Sequence, residues 1–298
     1  MHSYLFNAYS RLAMKRIFGF IYLCIFMFIH MFISKTTYAF ENPAQTLEAA
    51  NLRIAIDEAN KIKDPKQRLD SLKVASEKVI ASCKDNLMTR DILIKATKDI
   101  SKIEDIAKQA DILRTGLLEV LVILTFKPKV EAPVPAGFPA PTPVGVVEIK
   151  KLPVYRMAKV ANSGLGGNNF FTLFNHIKKN KIEMTAPVEM TMAEKNGKFA
   201  ESSMAFLYQE TTLGKVGPQG NIAVLDTKEC MVASIGMRGS PNSEALESAR
   251  RWLIEKIKNA PEAYEIAGEL KVMGYNSPFM PEKLRYYEVQ LPLKLPTK

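Results

Sequence analysis

Six of the sixteen residues from Pro128 to Pro143 are proline. Proline has no N–H to give to a helix or a sheet ladder, and its ring fixes φ near the polyproline value. No regular element runs through such a stretch, so the chain of 298 residues is divided into a part before it and a part after it. By composition, residues 128–145 read as a semi-rigid linker.

Before it, residues 40–127 repeat apolar side chains at helical steps. Leu47, Ala50, Ile54 and Ala59 make a first stripe, Asp64-Pro65 breaks it, and Leu69, Leu72, Ala75, Val79 and Ile80 resume it. The longest stripe runs Ile92, Ala96, Ile100, Ile103, Ala107, Ala110, Leu113, Leu117, Leu121 and Leu124. A helical hairpin or small bundle buries such faces. The alternative is a face that binds a protein partner or a second copy of the chain.

The first thirty-nine residues read as an export signal rather than as fold. Lys15 and Arg16 precede an apolar run from Ile17 to Ile33, and Thr37-Tyr38-Ala39 supplies a small-residue cleavage site. Met14 offers a second start that gives a tidier signal. The alternative is an uncleaved anchor over 17–33. Either reading places the rest of the protein outside the cytoplasm, periplasmic or extracellular. The formal charge of +10 falls to +6 once Arg11, Lys15, Arg16 and Lys35 are removed, and no basic arm interleaves with aromatics. Nothing therefore points to nucleic acid, and membrane contact is expected only through an uncleaved anchor. Cys83 and Cys230 remain in the exported chain, in segments assigned to different domains, and no cysteine–histidine cluster has zinc spacing.

After the prolines the period changes. Val147–Val160 reads as a strand, and Gly164, Gly166 and Gly167 as a turn. Asn168 or Asn169 then caps a helix with Phe170, Leu173, Phe174 and Ile177 on its inner face. Between Ile182 and Met192 every second residue is apolar, so Ile182, Met184, Ala186, Val188, Met190 and Met192 share one face of an extended segment. Three thioethers on one face make an adaptable wall, or simply a core. A third strand near Met204–Gln209 follows. The order then repeats, with a strand at Met231–Met237, a helix starting at Ser240-Pro241, and strands near Tyr264–Met273 and Leu284–Leu293. A strand–helix–strand–strand unit used twice suggests a pseudo-symmetric sheet, curved or closed, with two helices outside it.

The words carried by these elements resemble the SOUL/haem-binding-protein family over about residues 146–293. V-E-I-K-K-L-P-V-Y-R-M-A-K-V is similar to its first strand, and F-F-T-L-F-N-H-I followed by K-I-E-M-T-A-P-V to its signature. M-V-A-S-I-G-M-R-G, Y-N-S-P-F-M-P and Y-Y-E-V-Q-L resemble the second half. The resemblance implies an α+β fold: a distorted antiparallel β-barrel with two helices, built from a pseudo-repeat and preceded here by the helical region. It also implies non-covalent binding of haem or another tetrapyrrole or hydrophobic anion, for transport, buffering or sensing. The absence of C-x-x-C-H excludes covalent c-type attachment.

A haem site needs an apolar slot, cations for two propionates and optionally an axial ligand. Phe170, Phe174, Met184, Met190 and Met192 are the candidate walls, and Lys178, with Lys179 and Lys181, the candidate propionate partner. His176, the sole histidine after residue 39, is the candidate axial ligand to iron; methionine, or no side chain at all, is the alternative. No catalytic residues are assigned. A small-molecule hydrolase is the competing reading, and it requires Tyr208, Tyr286, Glu183 and Glu288 to converge in one cavity. A protein-interaction module is the third.

Overall fold

The computed structural model describes residues 43–161 and 169–295. The expected export signal, the glycine turn and Asn168 lie outside the described residues. Among the described residues no helix is long and apolar enough to cross a membrane.

Among the described residues four helices come first: α1 (Pro43–Lys61), α2 (Pro65–Ser82), α3 (Leu87–Ile100) and α4 (Ile106–Leu124). The last three each begin on a side chain that accepts from first-turn amides: Asp64 from Gln67, Asn86 from Thr89, and Asp105 from Ala107 and Lys108. Pro65 sits in the first turn, where no N–H is missed. Asp64-Pro65, a break in the periodicity, is thus a helix start. The helices bury one core through Leu52, Leu69, Leu72, Leu93, Leu113 and Leu117, so the small bundle is formed. The α1 stripe differs from expectation. Ala49, Leu52, Ile56 and Ala59 point inward, while Leu47 and Ile54 are 63% and 57% exposed. Both sets have helical spacing, and the inner one puts small alanines where α1 meets α2 and α4. The long stripe is two helices, not one: it folds back between Ile100 and Ile106, with Gly116 set against Ala96.

The rest is β1 (Val147–Leu152), β2 (Arg156–Ala161), α5 (Asn169–Lys179), β3 (Val188–Lys195), β4 (Lys198–Leu207), β5 (Gly217–Gln219), β6 (Ile222–Asp226), β7 (Cys230–Arg238), α6 (Ser243–Lys258), β8 (Glu265–Ile266), β9 (Leu270–Gly274) and β10 (Tyr286–Lys294). All ten strands join one antiparallel sheet in the order β1-β7-β10-β9-β3-β4-β2-β6-β5, with β8 beside β10. The repeated unit is β2-α5-β3-β4 and then β7-α6-β9-β10. The strand order reads the same outward from the β3–β9 pair in both directions, as a pseudo-twofold requires. The β3–β4 hairpin closes on Asn196-Gly197, both at positive φ (52° and 71°), the two-residue turn that matches strand twist.

Two readings are corrected. Val147–Val160 is not one strand: it breaks at Pro153, and β1 and β2 lie six places apart in the sheet order. The methionine strand begins only at Val188: Pro187 has no N–H to give to a ladder, and Lys181 lies in the left-handed region with φ of 55°. Ala186 therefore packs in a different cluster from Ile182 and Met184.

The short β1–β2 link bends the sheet. Six interstrand steps in a flat sheet cover roughly 29 Å. The four residue steps from Leu152 to Arg156 reach at most about 14 Å. The sheet must therefore curl. Among the described residues no ladder joins its ends, so the sheet is the curved rather than the closed one, and the expected distorted barrel is not confirmed.

Side-chain alternation separates the two faces. Val188, Met190 and Met192 share the outer face, where α5 and α6 pack. α6 covers Ala233, Ile235, Val289 and Leu291 with Leu246, Trp252 and Leu253. The inner face holds Leu152, Met157, Leu207, Met273 and Tyr286, and residues 128–145 lie along it: Val130, Phe138 and Val144 are buried there. The segment is fastened by Ala136 N to Gln209 O (2.8 Å), Ala186 N to Pro133 O (2.9 Å) and Gly145 N to Gly236 O (2.8 Å). Gly236 has to be glycine, since a Cβ there would overlap the Thr142 carbonyl.

The inner face also buries two carboxylates in one row, because Glu189 and Glu288 both pair across the sheet with Met273. Glu189 accepts from Tyr155 Oη (2.9 Å) and pairs with Lys271 (3.0 Å). Glu288 is met by Lys150 Nζ (2.7 Å), Thr142 N (2.6 Å), Tyr275 Oη (2.9 Å) and Gln290 Nε2 (3.2 Å). Burial alone would raise the Glu288 pKa; Lys150 and Thr142 outweigh it and hold the carboxyl below its usual range. Cys83 and Cys230 are free thiols.

The helices join the sheet through charge. Asp91 of α3 accepts from Trp252 Nε1 (2.7 Å) and Arg90 (2.9 Å), and Arg90 also reaches Glu255 of α6 (2.8 Å). Chemical denaturation followed by far-UV dichroism and by fluorescence of Trp252, the single tryptophan, is expected to give coincident transitions. Separate midpoints would show the bundle unfolding by itself. Lys150→Met leaves Glu288 buried without its cation and should cost about 3–5 kcal/mol, partly recovered by adding Glu288→Gln. The proton binds the unfolded chain first as pH falls, so this stabilisation is complete at neutral pH and is lost below the ordinary carboxylate range. A Lys150→Met variant as stable as the parent at pH 7 would contradict the pairing.

Candidate functional site

α5 carries N-F-F-T-L-F-N-H-I-K-K. Phe170, Leu173, Phe174 and Ile177 recur at steps of three and four, so one face packs on β2 and β4, where Ala158, Val160 and Phe206 lie. His176, Lys178 and Lys179 occupy the last turn, the end at which the helix dipole favours positive charge. The chain then leaves through Lys181 in the left-handed region, with Ile182 N donating back to Ile177 O (2.9 Å).

This face builds an aromatic surface. The Phe170 and Phe174 rings are nearly parallel, 6.4 Å apart with 10° between planes, and both are half-buried. Phe170 meets the edge of Phe206 at 5.0 Å, and Phe171 lies beside it at 5.8 Å, 40% exposed. Met184, half-buried, packs against the same cluster. Lys178 and Lys179 are exposed at the helix end, and Lys181 just after it.

His176 points inward. Its Nε2 lies 2.8 Å from Tyr208 Oη, and Asn180 Nδ2 lies 3.4 Å from its Nδ1. Burial, and secondarily the charge of Lys179, pull its pKa below the usual imidazole value. Burial pushes the Tyr208 phenol up to about 12. At neutral pH the pair is a neutral imidazole and a neutral phenol sharing one hydrogen bond.

The seven residues selected from sequence therefore divide. Phe170, Phe174, His176 and Met184 meet around α5, with Lys178 at its end. Met190 and Met192 share the outer face but pack with the α6 cluster, so the three methionines do not form one wall. The four groups required by a hydrolase do not converge. Glu183 is exposed and bonded to Gln209 (3.0 Å), Tyr208 faces α5, and Tyr286 and Glu288 lie on the inner face. Sequence reading missed the buried Glu189–Glu288 row. Its one signal is that acids occupy polar positions of alternating strands, which reads as solvent-facing unless both faces of the sheet are known to be covered.

The lowered pKa makes a titration test. Unfolded histidine takes up its proton before folded His176 does, so acidification through the ordinary imidazole range withdraws stability. The His176 ring signals, followed by NMR, should titrate below the value of an unfolded histidine. Titration above that value would contradict the buried, tyrosine-bonded placement.

Residues 142–292 match the SOUL heme-binding protein family, half of the chain. No curated protein matches the chain. Among solved structures, the EcmrR C-terminal domain is similar at 13% identity and TM-score 0.37, over 50% of this chain and 97% of that one. A hydrolase from Listeria innocua is similar at 11% identity and TM-score 0.39, over 52% of this chain and 94% of its own. An integron cassette protein from Vibrio cholerae is similar at 10% identity and TM-score 0.28, over 50% and 95%. With the repeated strand–helix–strand–strand unit formed over the matched residues, the chain belongs to the SOUL haem-binding family.

Proposed function

We propose that this is an exported protein that binds a tetrapyrrole, haem or a similar flat hydrophobic anion, reversibly and non-covalently on the face of α5. Export rests on the Lys15–Ala39 signal pattern. The observation that carries the binding reading is the parallel, half-exposed Phe170–Phe174 pair beside Met184. A half-exposed phenylalanine ring offers a flat apolar face, and aromatic faces stack with an offset. Lys178, Lys179 and Lys181 supply positive charge at one end of that wall, suited to propionates. The inner face of the sheet is a poorer candidate, being packed with Tyr155, Tyr275, Tyr286, Met273 and residues 128–145.

The residues fit the body and the carboxylates of a tetrapyrrole better than they fit its iron. Both ring nitrogens of His176 face protein groups, so axial coordination by it requires giving up either the Tyr208 bond at Nε2 or the Asn180 contact at Nδ1. On this reading Phe170, Phe174 and Met184 hold the macrocycle, the lysines orient it, and His176 positions Tyr208 beneath the helix. A bound haem would supply its iron and its absorption in the Soret region. Transport, buffering and sensing are all served by such reversible capture.

The test is a haemin titration of the chain from Phe40 onward, followed in the Soret region. Saturable one-to-one binding in the micromolar range or tighter is expected. Phe170→Ser/Phe174→Ser should weaken it by about tenfold or more (~1.4 kcal/mol), while His176→Ala should retain binding with an unchanged spectrum. Weak, non-saturating binding would overturn the tetrapyrrole reading. A spectral shift in His176→Ala would instead make His176 the iron ligand.

A further inference from the structure

Residues 128–145 cover the sheet on one side. On the other they join α1 and the end of α4 in enclosing a recess of about 510 Å3. Its walls are largely apolar: Ala49 and Ala50 of α1, Leu124 of α4, and Phe126, Pro141 and Pro143. The volume falls in the range of about 300–1,000 Å3 usual for small-molecule sites. Prolines fix the backbone of one wall, so the recess is preformed and a ligand would spend little free energy ordering it. Arg53 and Lys127 line the recess against one acid, Glu148. None of the seven residues selected for the tetrapyrrole lines it.

We propose that this recess is a second binding site, for a small amphipathic anion whose compact apolar body ends in a carboxylate or sulfonate. The body packs against the alanines, Phe126 and the prolines, and the charge lies toward Arg53 and Lys127. Positive charge from Arg53 and Lys127 at the rim of an apolar recess favours an anion over a neutral ligand. The site is independent of the tetrapyrrole reading, which rests on α5.

The test uses 1-anilinonaphthalene-8-sulfonate as a fluorescent reporter on the purified protein, with dodecanoate and neutral dodecanol as competitors. Ala50 and Arg53 are both exposed on α1, so Ala50→Trp, which fills the recess, and Arg53→Glu, which reverses a charge, should leave the melting temperature unchanged. The expected result is one saturable reporter site, displaced by dodecanoate at least tenfold more effectively than by dodecanol. Each variant should weaken it at least tenfold while the haemin titration stays as in the parent. Unchanged reporter affinity in both variants would overturn the proposal, as would equal competition by dodecanol. Loss of haemin binding in Ala50→Trp would also overturn it, by showing that the recess is the tetrapyrrole site itself.

Discussion

The buried carboxylate of Glu288 is the constraint around which the domain is assembled. A charge taken out of water is tolerated only when it is paired and fully hydrogen-bonded. Its partners come from four places in the chain: Lys150 on β1, Thr142 in the proline-rich segment, Tyr275 just after β9, and Gln290 on β10 itself. Satisfying one side chain therefore fixes the sheet edge, the sheet centre and the segment lying across them. Tyr286 Oη donates to the Thr142 carbonyl, so that residue is held by both its N–H and its C=O. A segment with few amides to give is thus kept in place by the few it has.

This arrangement decides where ligands are met. A curled sheet offers an inner face, and here that face is filled by tyrosines, by Met273 and by the chain's own residues 128–145. The two proposed sites accordingly lie elsewhere, on the helix-covered face and in the recess on the far side of the proline-rich segment. The helical region is no separate appendage either. Asp91, Arg90, Trp252 and Glu255 tie α3 to α6, and Asn86 caps α3 while donating to Val144 O (3.0 Å).

Much of this was legible in the residue order. Asp64-Pro65 and the basic end of α5 mark helix ends, while Asp105 and Asn196-Gly197 carry local signals that the sequence reading did not pick up. The pseudo-repeat is visible because each copy needs its own strand–helix–strand–strand period. What was hidden depends on distant partners. Leu47 and Ile54 share helical spacing with the α1 residues that are buried, so periodicity alone does not say which stripe faces α2. Pro153 reads as tolerable at an edge or bulge until the residues before it are seen to pair with β7 and those after it with β4 and β6. Glu189 and Glu288 read as surface acids until the proline-rich segment closes over the inner face. Alternation put the three methionines in one line, but that line crosses from the α5 cluster to the α6 cluster, and only tertiary packing draws the boundary.

A tetrapyrrole on the α5 face, as proposed, would lie against Phe170, Phe174 and Met184. Labelling the methionine methyl groups with 13C and adding haemin, whose iron broadens nearby signals, tests this most directly. The Met184 methyl signal should broaden strongly, those of Met190 and Met192 should change less, and those of Met237, in the α6 cluster, and Met88, between the α6 and inner-face clusters, should stay sharp. A Met184 signal untouched at saturating haemin would contradict it.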